Sequence, residues 1–167
     1  LPETPWDFFD DDGGLFFEAA ANAARMEGLL LGCAEGQFCG TRLLTRGETA
    51  TLLARALELR PRVWRPFFTD DDGSPHEASI NELYARGIVN GCVQGDAPKF
   101  CPDDVLTRGQ MASLLQRAIG LPNSSEDAFV DDDGSVHERA INEAAAAGVV
   151  RGGKTSQDAI IQRLPVC

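Results

Sequence analysis

Three clusters of aspartates occur along the chain and could hold a cation. The sequence Asp70-Asp71-Asp72-Gly73 follows two phenylalanines, and it returns as Asp131-Asp132-Asp133-Gly134. A looser copy, Asp10-Asp11-Asp12-Gly13, lies near the start. Adjacent carboxylates repel one another unless positive charge lies among them. Alternating oxygen ligands followed by a glycine are typical of calcium loops, so the pattern predicts a calcium site in each copy.

The predicted ligands are the first and third aspartates of each cluster, with the glutamate that follows two of the clusters. They are Asp10, Asp12, Asp70, Asp72, Glu77, Asp131, Asp133 and Glu138. A loop of EF-hand length counted from Asp70 would end at Asn81, so a site of another kind is expected. In the alternative, the carboxylates favour the positive N-terminus of the following helix and the glutamates close capping boxes.

Four of the five cysteines form two closely spaced pairs, Cys33 with Cys39 and Cys92 with Cys101. A disulfide that closes a short loop contributes about 2–3 kcal/mol. A zinc site would need CxxC-like pairs or additional histidines, and these spacings are longer. The pattern therefore favours two disulfides over a metal, and with them an oxidising compartment. Cys167 is left unpaired.

Two arginines at predicted helix starts could bind an anionic ligand. They lie in Thr45-Arg46-Gly47-Glu48 and in Thr107-Arg108-Gly109-Gln110. A guanidinium makes paired hydrogen bonds to a carboxylate, and the free amides of a helix N-terminus also favour anions. The alternative is a surface arginine paired with a nearby carboxylate such as Asp103 or Asp104.

The aspartate clusters lie about sixty residues apart and mark a repeat protein. In the second copy, a capping box from Ser74 to Glu77 predicts a helix that ends at Gly87. A second helix is predicted from Thr107 to Gly120, after a loop that carries Cys92 and Cys101. Each unit is therefore an acidic loop, a helix, a cysteine-clipped loop and a helix.

The other two copies follow the same order with differences. In the first, one extra residue is expected before Glu18, and the helix covers roughly residues 16–27. In the third, the clipped loop is absent and a shortened second helix is predicted over residues 154–164. The sequence thus predicts repeats at 1–66, 67–127 and 128–167.

Composition excludes several classes of function. Of the 167 residues 43% are hydrophobic, which suits a folded protein, and the net charge is −11. No basic stripe is present to bind nucleic acid. No run of eighteen apolar residues could span a membrane. The chain also lacks a nucleophile elbow, a phosphate loop and an HExxH motif, so no enzyme is expected. Since it begins without methionine, an upstream secretion signal is expected to have been removed.

The order of these motifs resembles the S-layer homology repeat. The matching pieces in the second copy are Phe68-Thr69-Asp70, Gly87-Ile88, Gly91, Phe100-Cys101-Pro102, Leu106-Thr107-Arg108-Gly109 and Arg117-Ala118. The paired cysteines and the Asp-Asp-Asp-Gly-Ser-x-His-Glu start are similar to a version found in actinobacterial-type surface proteins. The resemblance implies an all-α fold of three tandem helix-loop-helix repeats in a pseudo-threefold arrangement, with the third shortened.

The resemblance also implies a role at the cell wall, in which such modules bind a secondary polysaccharide. The positions that match the family's glycan-binding motif are Thr45, Arg46, Glu48, Thr107, Arg108 and Gln110. Glycine replaces the motif's alanine at Gly47 and Gly109. The family's usual Trp-Ala on the first helix is also replaced, with Phe17, His76 and His137 near that place.

We therefore expect a secreted or cell-surface structural protein that binds copies of itself, forming a layer or filament stabilised by calcium. The chain consists only of repeats, and the shortened third repeat gives it unlike ends, which favour open chains over closed rings. Cys167 could cross-link neighbours. The alternative is a wall-anchoring module in which Arg46 and Arg108 bind an acidic wall polysaccharide.

Overall fold

A computed structural model of the chain describes residues 6–60 and 66–151, which contain five α-helices and no β-strands beyond isolated bridges. The helices are α1 (Glu18–Met26), α2 (Arg46–Ala56), α3 (Glu77–Ala85), α4 (Arg108–Ile119) and α5 (Glu138–Ala146). The described part is thus helical, as the sequence predicts. The predicted helix at residues 154–164 and Cys167 lie outside the described residues.

Helices α2 and α4 begin at the two predicted helix starts, and each begins with a capping box. The Thr45 hydroxyl accepts a hydrogen bond from the Glu48 amide at 3.2 Å, and the Glu48 carboxylate accepts one from the Thr45 amide at 2.9 Å. Thr107 and Gln110 repeat the pair at 3.2 and 2.9 Å. Two of the amides that a helix start would leave unpaired are satisfied in this way at each helix. Helix α4 then ends, as predicted, at Gly120 in the left-handed conformation.

Helix α3 begins two residues later than predicted, because two turns precede it. The Ser74 amide donates to the carbonyl of Asp71 at 2.9 Å, and the Glu77 amide donates to the carbonyl of Ser74 at 3.1 Å. The Ser74 hydroxyl accepts from the His76 amide instead of from the Glu77 amide. The predicted Ser74–Glu77 capping box is therefore wrong. Helices α1 and α5 begin in the same way, after Phe17 and His137.

Helix α2 packs against α3 and α4 packs against α5, so the second helix of each of the first two predicted repeats contacts the first helix of the following one. The main core lies across this junction. Its buried members are Ala50, Leu53, Phe68, Ile80, Leu83, Ile88, Val89, Phe100 and Leu114. A smaller cluster of Phe9, Phe17 and Ala21 lies under the first clipped loop, beside Leu30 and Phe38. The first two predicted repeats therefore share one core.

Both cysteine pairs lie at disulfide distance, as predicted. The Cα atoms of Cys33 and Cys39 are 6.0 Å apart, and those of Cys92 and Cys101 are 6.1 Å apart. The second cysteine of each pair adopts the same left-handed conformation, with φ of 58° at Cys39 and at Cys101. The two clipped loops are thus built alike.

Candidate functional site

The first aspartate of the second cluster anchors the clipped loop of its own repeat. Asp70 Oδ1 accepts a hydrogen bond from the Phe100 amide at 2.7 Å, and its Oδ2 accepts one from the Cys101 amide at 2.9 Å. Both carboxylate oxygens are thus bound to the main chain of the loop. Residues distant in sequence are joined by charge-assisted hydrogen bonds at this point.

Asp11, and not Asp10, plays this part in the first repeat. Its carboxylate accepts from the amides of Phe38 at 2.6 Å and Cys39 at 2.7 Å. The hydrogen bond from the Phe38 amide lowers the pKa of the Asp11 carboxyl. Asp11 therefore corresponds to Asp70, and the extra residue that the sequence suggested before Glu18 is wrong. The two copies align without a gap.

Once Asp11 is aligned with Asp70, the next residue in each copy, which we call the middle aspartate, is buried. Asp12 and Asp71 are 0% exposed and Asp132 is 7% exposed. Burial raises the pKa of Asp71 to about 6, and it also raises the pKa of Asp12 and of Asp132. The calcium prediction passed over Asp71 and Asp132, because alternation favoured the first and third aspartates, but it included Asp12 as the third aspartate of the first cluster.

A buried asparagine accompanies each middle aspartate and was missed in the sequence. Asn22 donates to Asp12 at 3.3 Å and Asn81 donates to Asp71 at 3.4 Å. The amide oxygens of these asparagines accept main-chain hydrogen bonds fourteen residues back, from Phe8 and Phe67, and Asn142 does the same with Ala128. The available signal was an asparagine ten residues after each middle aspartate.

The predicted glutamate ligands bind the turn before their helix. Glu77 accepts a hydrogen bond from the Gly73 amide at 3.0 Å, and Glu138 accepts one from the Gly134 amide at 2.7 Å. Glu18 does the same with Gly14 at 2.6 Å. This resembles the capping alternative, displaced by one residue toward the N-terminus.

Two groups of potential metal ligands occur among the described residues, with one ligand atom of each residue within 4.8 Å of the others. They are Asp70 with Cys92 and Cys101, and Asp127 with Asp132 and Asp133. The first is discounted, since its cysteines form a disulfide. Neither group unites the first aspartate, third aspartate and glutamate of one cluster as the sequence predicts. Of the eight predicted ligands, only Asp133 belongs to the second group.

Arg46 binds the main chain of the next repeat. Its Nε donates to the carbonyl of Phe100 and its Nη2 to the carbonyl of Asn90, each at 2.9 Å. The guanidinium also lies 4.6 Å from the centre of the Phe100 ring, a cation–π distance. Burial lowers the pKa of Arg46. This arginine thus joins two repeats.

The amides at the start of α2 are also bound across this joint. The Arg46 amide donates to the carbonyl of Asp104 at 2.8 Å, and the Gly47 amide donates to that of Pro102 at 2.9 Å. These amides were expected to be free for an anion. They are instead paired with the second repeat.

Arg108 is the more exposed of the two motif arginines. Its Nη2 donates to the carbonyl of Arg151 at 3.2 Å, the counterpart of the Arg46–Asn90 contact. The other four predicted glycan residues form the capping boxes, and Glu48 also pairs with Arg42 at 2.6 Å. The structure places all six at helix starts, three on α2 and three on α4.

Two histidines pack on the glycines that replace the motif's alanine. His76 Nδ1 lies 2.8 Å from the Thr51 hydroxyl of α2, and a Cβ added at Gly47 would lie 2.7 Å from His76 Cδ2. His137 lies equally close to Ser113 of α4, and a Cβ at Gly109 would lie 3.0 Å from His137 Cδ2. The glycines and histidines are therefore linked departures from the family's pattern.

An open cleft of about 440 Å³ lies beside α1. Its walls carry two strongly exposed aromatic side chains, Trp6 at 65% and Phe16 at 85%. The lining residues are Trp6, Asp7, Leu15, Phe16, Glu18, Ala19 and Asn22. The cleft therefore combines apolar and acidic surface.

Part of the chain is similar to a known domain family. Residues 67–112 match the model of the S-layer homology domain. This range contains Asp70, the second clipped loop and the start of α4. No helix within the described ranges is both long enough and apolar enough to cross a membrane.

Similar proteins include surface proteins and enzymes. The chain is 27% identical over 137 residues to the surface-layer 125 kDa protein of Lysinibacillus sphaericus, covering 77% of this chain and 11% of that protein. It is 30% identical over 122 residues to the S-layer protein sap of Bacillus anthracis, covering 72% and 14%. It is 25% identical over 130 residues to exoglucanase XynX of Acetivibrio thermocellus, covering 72% and 12%.

The chain thus spans about a tenth of the length of these curated relatives. The similarities indicate a cell-surface protein and point to a structural or anchoring module. The chain contains an S-layer homology match at residues 67–112 and has homologues among surface-layer proteins.

Proposed function

We propose that this chain attaches a surface protein to the cell wall by binding wall polysaccharide. The observation that carries the proposal is that similar stretches occur in both S-layer proteins and a glucanase. Each match covers 11–14% of the relative, so the matched stretch is a small part of otherwise different proteins. Attachment is a role that suits all of them, whereas assembly of a layer suits only some.

Arg108 is the motif arginine that we place against the polysaccharide. Arg46 binds two carbonyls and an aromatic ring of the next repeat, whereas Arg108 is exposed and has one hydrogen bond within the described residues, to Arg151. An exposed guanidinium can still bind a carboxylate of an acidic glycan through its other nitrogens. The two motifs thus divide their duties, with Arg46 structural and Arg108 available for binding.

Binding to purified cell walls tests the attachment proposal. The chain should co-sediment with native walls and should remain in solution with walls from which the secondary polysaccharide has been removed. Arg108→Ala should weaken the binding, and Lys99→Ala, which removes an exposed positive charge elsewhere, should not. Equal binding to native and stripped walls would overturn the proposal.

Self-assembly is the second candidate, supported by exposed apolar side chains in the first and third predicted repeats. Trp6 and Phe16 project from the first repeat, while Val130 and Val136 are 87% and 92% exposed in the third. Exposed apolar patches mark interaction surfaces, and contact between unlike ends would propagate a chain. Calcium could stabilise such an assembly.

Sedimentation velocity separates the two candidates. If the chain assembles, species that sediment faster than the monomer should increase with protein concentration, with or without Ca²⁺. These species should be lost in the Phe16→Ser variant. A monomer at every concentration that still binds native walls would support attachment alone.

A further inference from the structure

We propose that Asp127, Asp132 and Asp133 form one binding site for a hard divalent cation, with Ca²⁺ as the probe, where the third repeat begins. This assignment goes beyond wall attachment and does not depend on it. It also differs from the sequence prediction, which placed a calcium site in each of the three copies and did not include Asp127 or Asp132 among the ligands.

The strongest observation is the buried carboxylate of Asp132. The residue is 7% exposed, and neither of its side-chain oxygens has a hydrogen-bond partner in the part of the chain that the structure describes. A buried, unpaired carboxylate is costly, since burial disfavours the charged form and no donor offsets the lost hydration. A bound cation would supply the missing partner for both oxygens.

The geometry of the three side chains fits one ion. Each offers a carboxylate oxygen within 4.8 Å of the oxygens of the other two. Calcium–oxygen distances are about 2.3–2.6 Å, so two oxygens on the same ion lie no more than about 4.8 Å apart at a typical distance. Asp127 and Asp133 are exposed, which leaves room for water to complete the coordination.

The electrostatic surroundings also favour a cation. Asp127, Glu138 and Asp131 all act on Asp132 as negative neighbours. An all-carboxylate donor set suits calcium, magnesium or manganese and does not suit softer metals that prefer sulfur or imidazole. Repulsion among these carboxylates, which opposes folding of the apo protein, would become attraction to the ion.

The first two repeats lack parts of this site. Aligned on the middle aspartates, Gly13 stands in the first repeat where Asp133 stands in the third, and Pro66 stands in the second where Asp127 stands in the third. Asp12 and Asp71 each receive a hydrogen bond from an asparagine, whereas Asp132 receives none from any described residue. The chain therefore contains its own controls, and we expect one ion and not three.

Calorimetric titration of the chelator-treated chain with CaCl₂ tests the site, with MgCl₂ as the comparison. We expect one Ca²⁺ per chain and a rise in Tm with Ca²⁺ concentration, because a ligand that binds only the folded state stabilises it. Asp127→Asn and Asp133→Asn change exposed side chains, so they should fold, as circular dichroism can verify. Each should weaken Ca²⁺ binding at least tenfold.

Asp72→Asn is the matched control, since Asp72 is the exposed counterpart of Asp133 in the second repeat. It should leave the affinity and the Tm shift unchanged. The proposal is overturned if the chain shows neither heat nor a Tm shift with Ca²⁺. It is also overturned if Asp72→Asn weakens binding as much as Asp133→Asn, or if Asp127→Asn has no effect.

Discussion

The second aspartate cluster shows that three consecutive aspartates can lie in three different environments. Asp70 is fully hydrogen-bonded and fastens a loop, Asp72 is exposed, and Asp71 lies between them, buried beside an asparagine. One Asp71 oxygen is buried without a partner among the described residues. This carboxylate should therefore be a source of pH-dependent stability.

Replacement of Asp71 by asparagine should stabilise the protein at neutral pH. The pKa of Asp71 rises on folding from 3.8 to about 6, so the folded state holds its proton more tightly than the unfolded chain. The wild type therefore loses stability as pH rises through this window, and the loss does not occur in Asp71→Asn. The difference should approach about 3 kcal/mol at pH 7 and vanish below pH of about 4.

Urea unfolding at a series of pH values measures this difference, with Asp72→Asn as the control at an exposed neighbour. A pH-independent difference between wild type and Asp71→Asn would contradict the assigned burial, as would a destabilised variant at pH 7.

Because Gly47 packs against His76, we expect the usual preference of a helix for alanine over glycine to be reversed at this position. Alanine is normally favoured over glycine in a helix by about 1 kcal/mol, but a Cβ at Gly47 would lie 2.7 Å from the His76 ring. We expect Gly47→Ala to destabilise by about 1–3 kcal/mol through overpacking. Chemical denaturation of Gly47→Ala, His76→Ala and the double variant measures the coupling. Additive effects would refute the linkage.

At the scale of elements, the joint between the first two repeats depends on Arg46. Its guanidinium binds two carbonyls of the following loop at once, a geometry that a lysine ammonium on a single stem does not match. We expect Arg46→Lys to cost about 1–2 kcal/mol of stability. Arg108 makes a single such bond within the described residues, so Arg108→Lys should cost less stability. Equal losses in thermal unfolding would argue against this difference.

Local elements were predictable from the sequence, whereas the contacts between them were not. The capping boxes at Thr45 and Thr107 and the disulfide pairs depend on residues close together in the chain. The predicted start of α3 was wrong because the turn that joins Asp71 to Ser74 competes with capping by the serine side chain. The partners of Asp11 and Asp70 lie about thirty residues away, and no local pattern reveals them.

The candidate sites were harder to predict, because burial decides what each side chain does. Alternation favoured the first and third aspartates of each cluster as calcium ligands. The carboxylate whose two oxygens both lack a hydrogen-bond partner among the described residues is instead that of Asp132, and its burial depends on packing. Asp127 lies outside the cluster and has no counterpart in the second repeat, so the repeat pattern concealed it. The link between His76 and Gly47 was visible only as two separate departures from a family pattern.

At the scale of the whole molecule, two pairs of helices in the described residues connect the predicted repeats, with α2 packed on α3 and α4 packed on α5. The shared core of α2, α3 and α4 makes the boundary between the first two repeats a packed interface. The net charge of −11 favours a well-solvated surface and opposes close approach of an acidic polysaccharide. Binding to such a polymer therefore needs a local positive group, and Arg108 is our candidate.

Binding of purified wall polysaccharide to the soluble chain tests the central claim most directly. Titration calorimetry should detect binding by the wild type and by Lys99→Ala, and Arg108→Ala should bind at least tenfold more weakly, since it loses a charge-assisted contact. Absence of binding by the wild type, together with growth of large species in the same solution, would contradict attachment and leave assembly as the function.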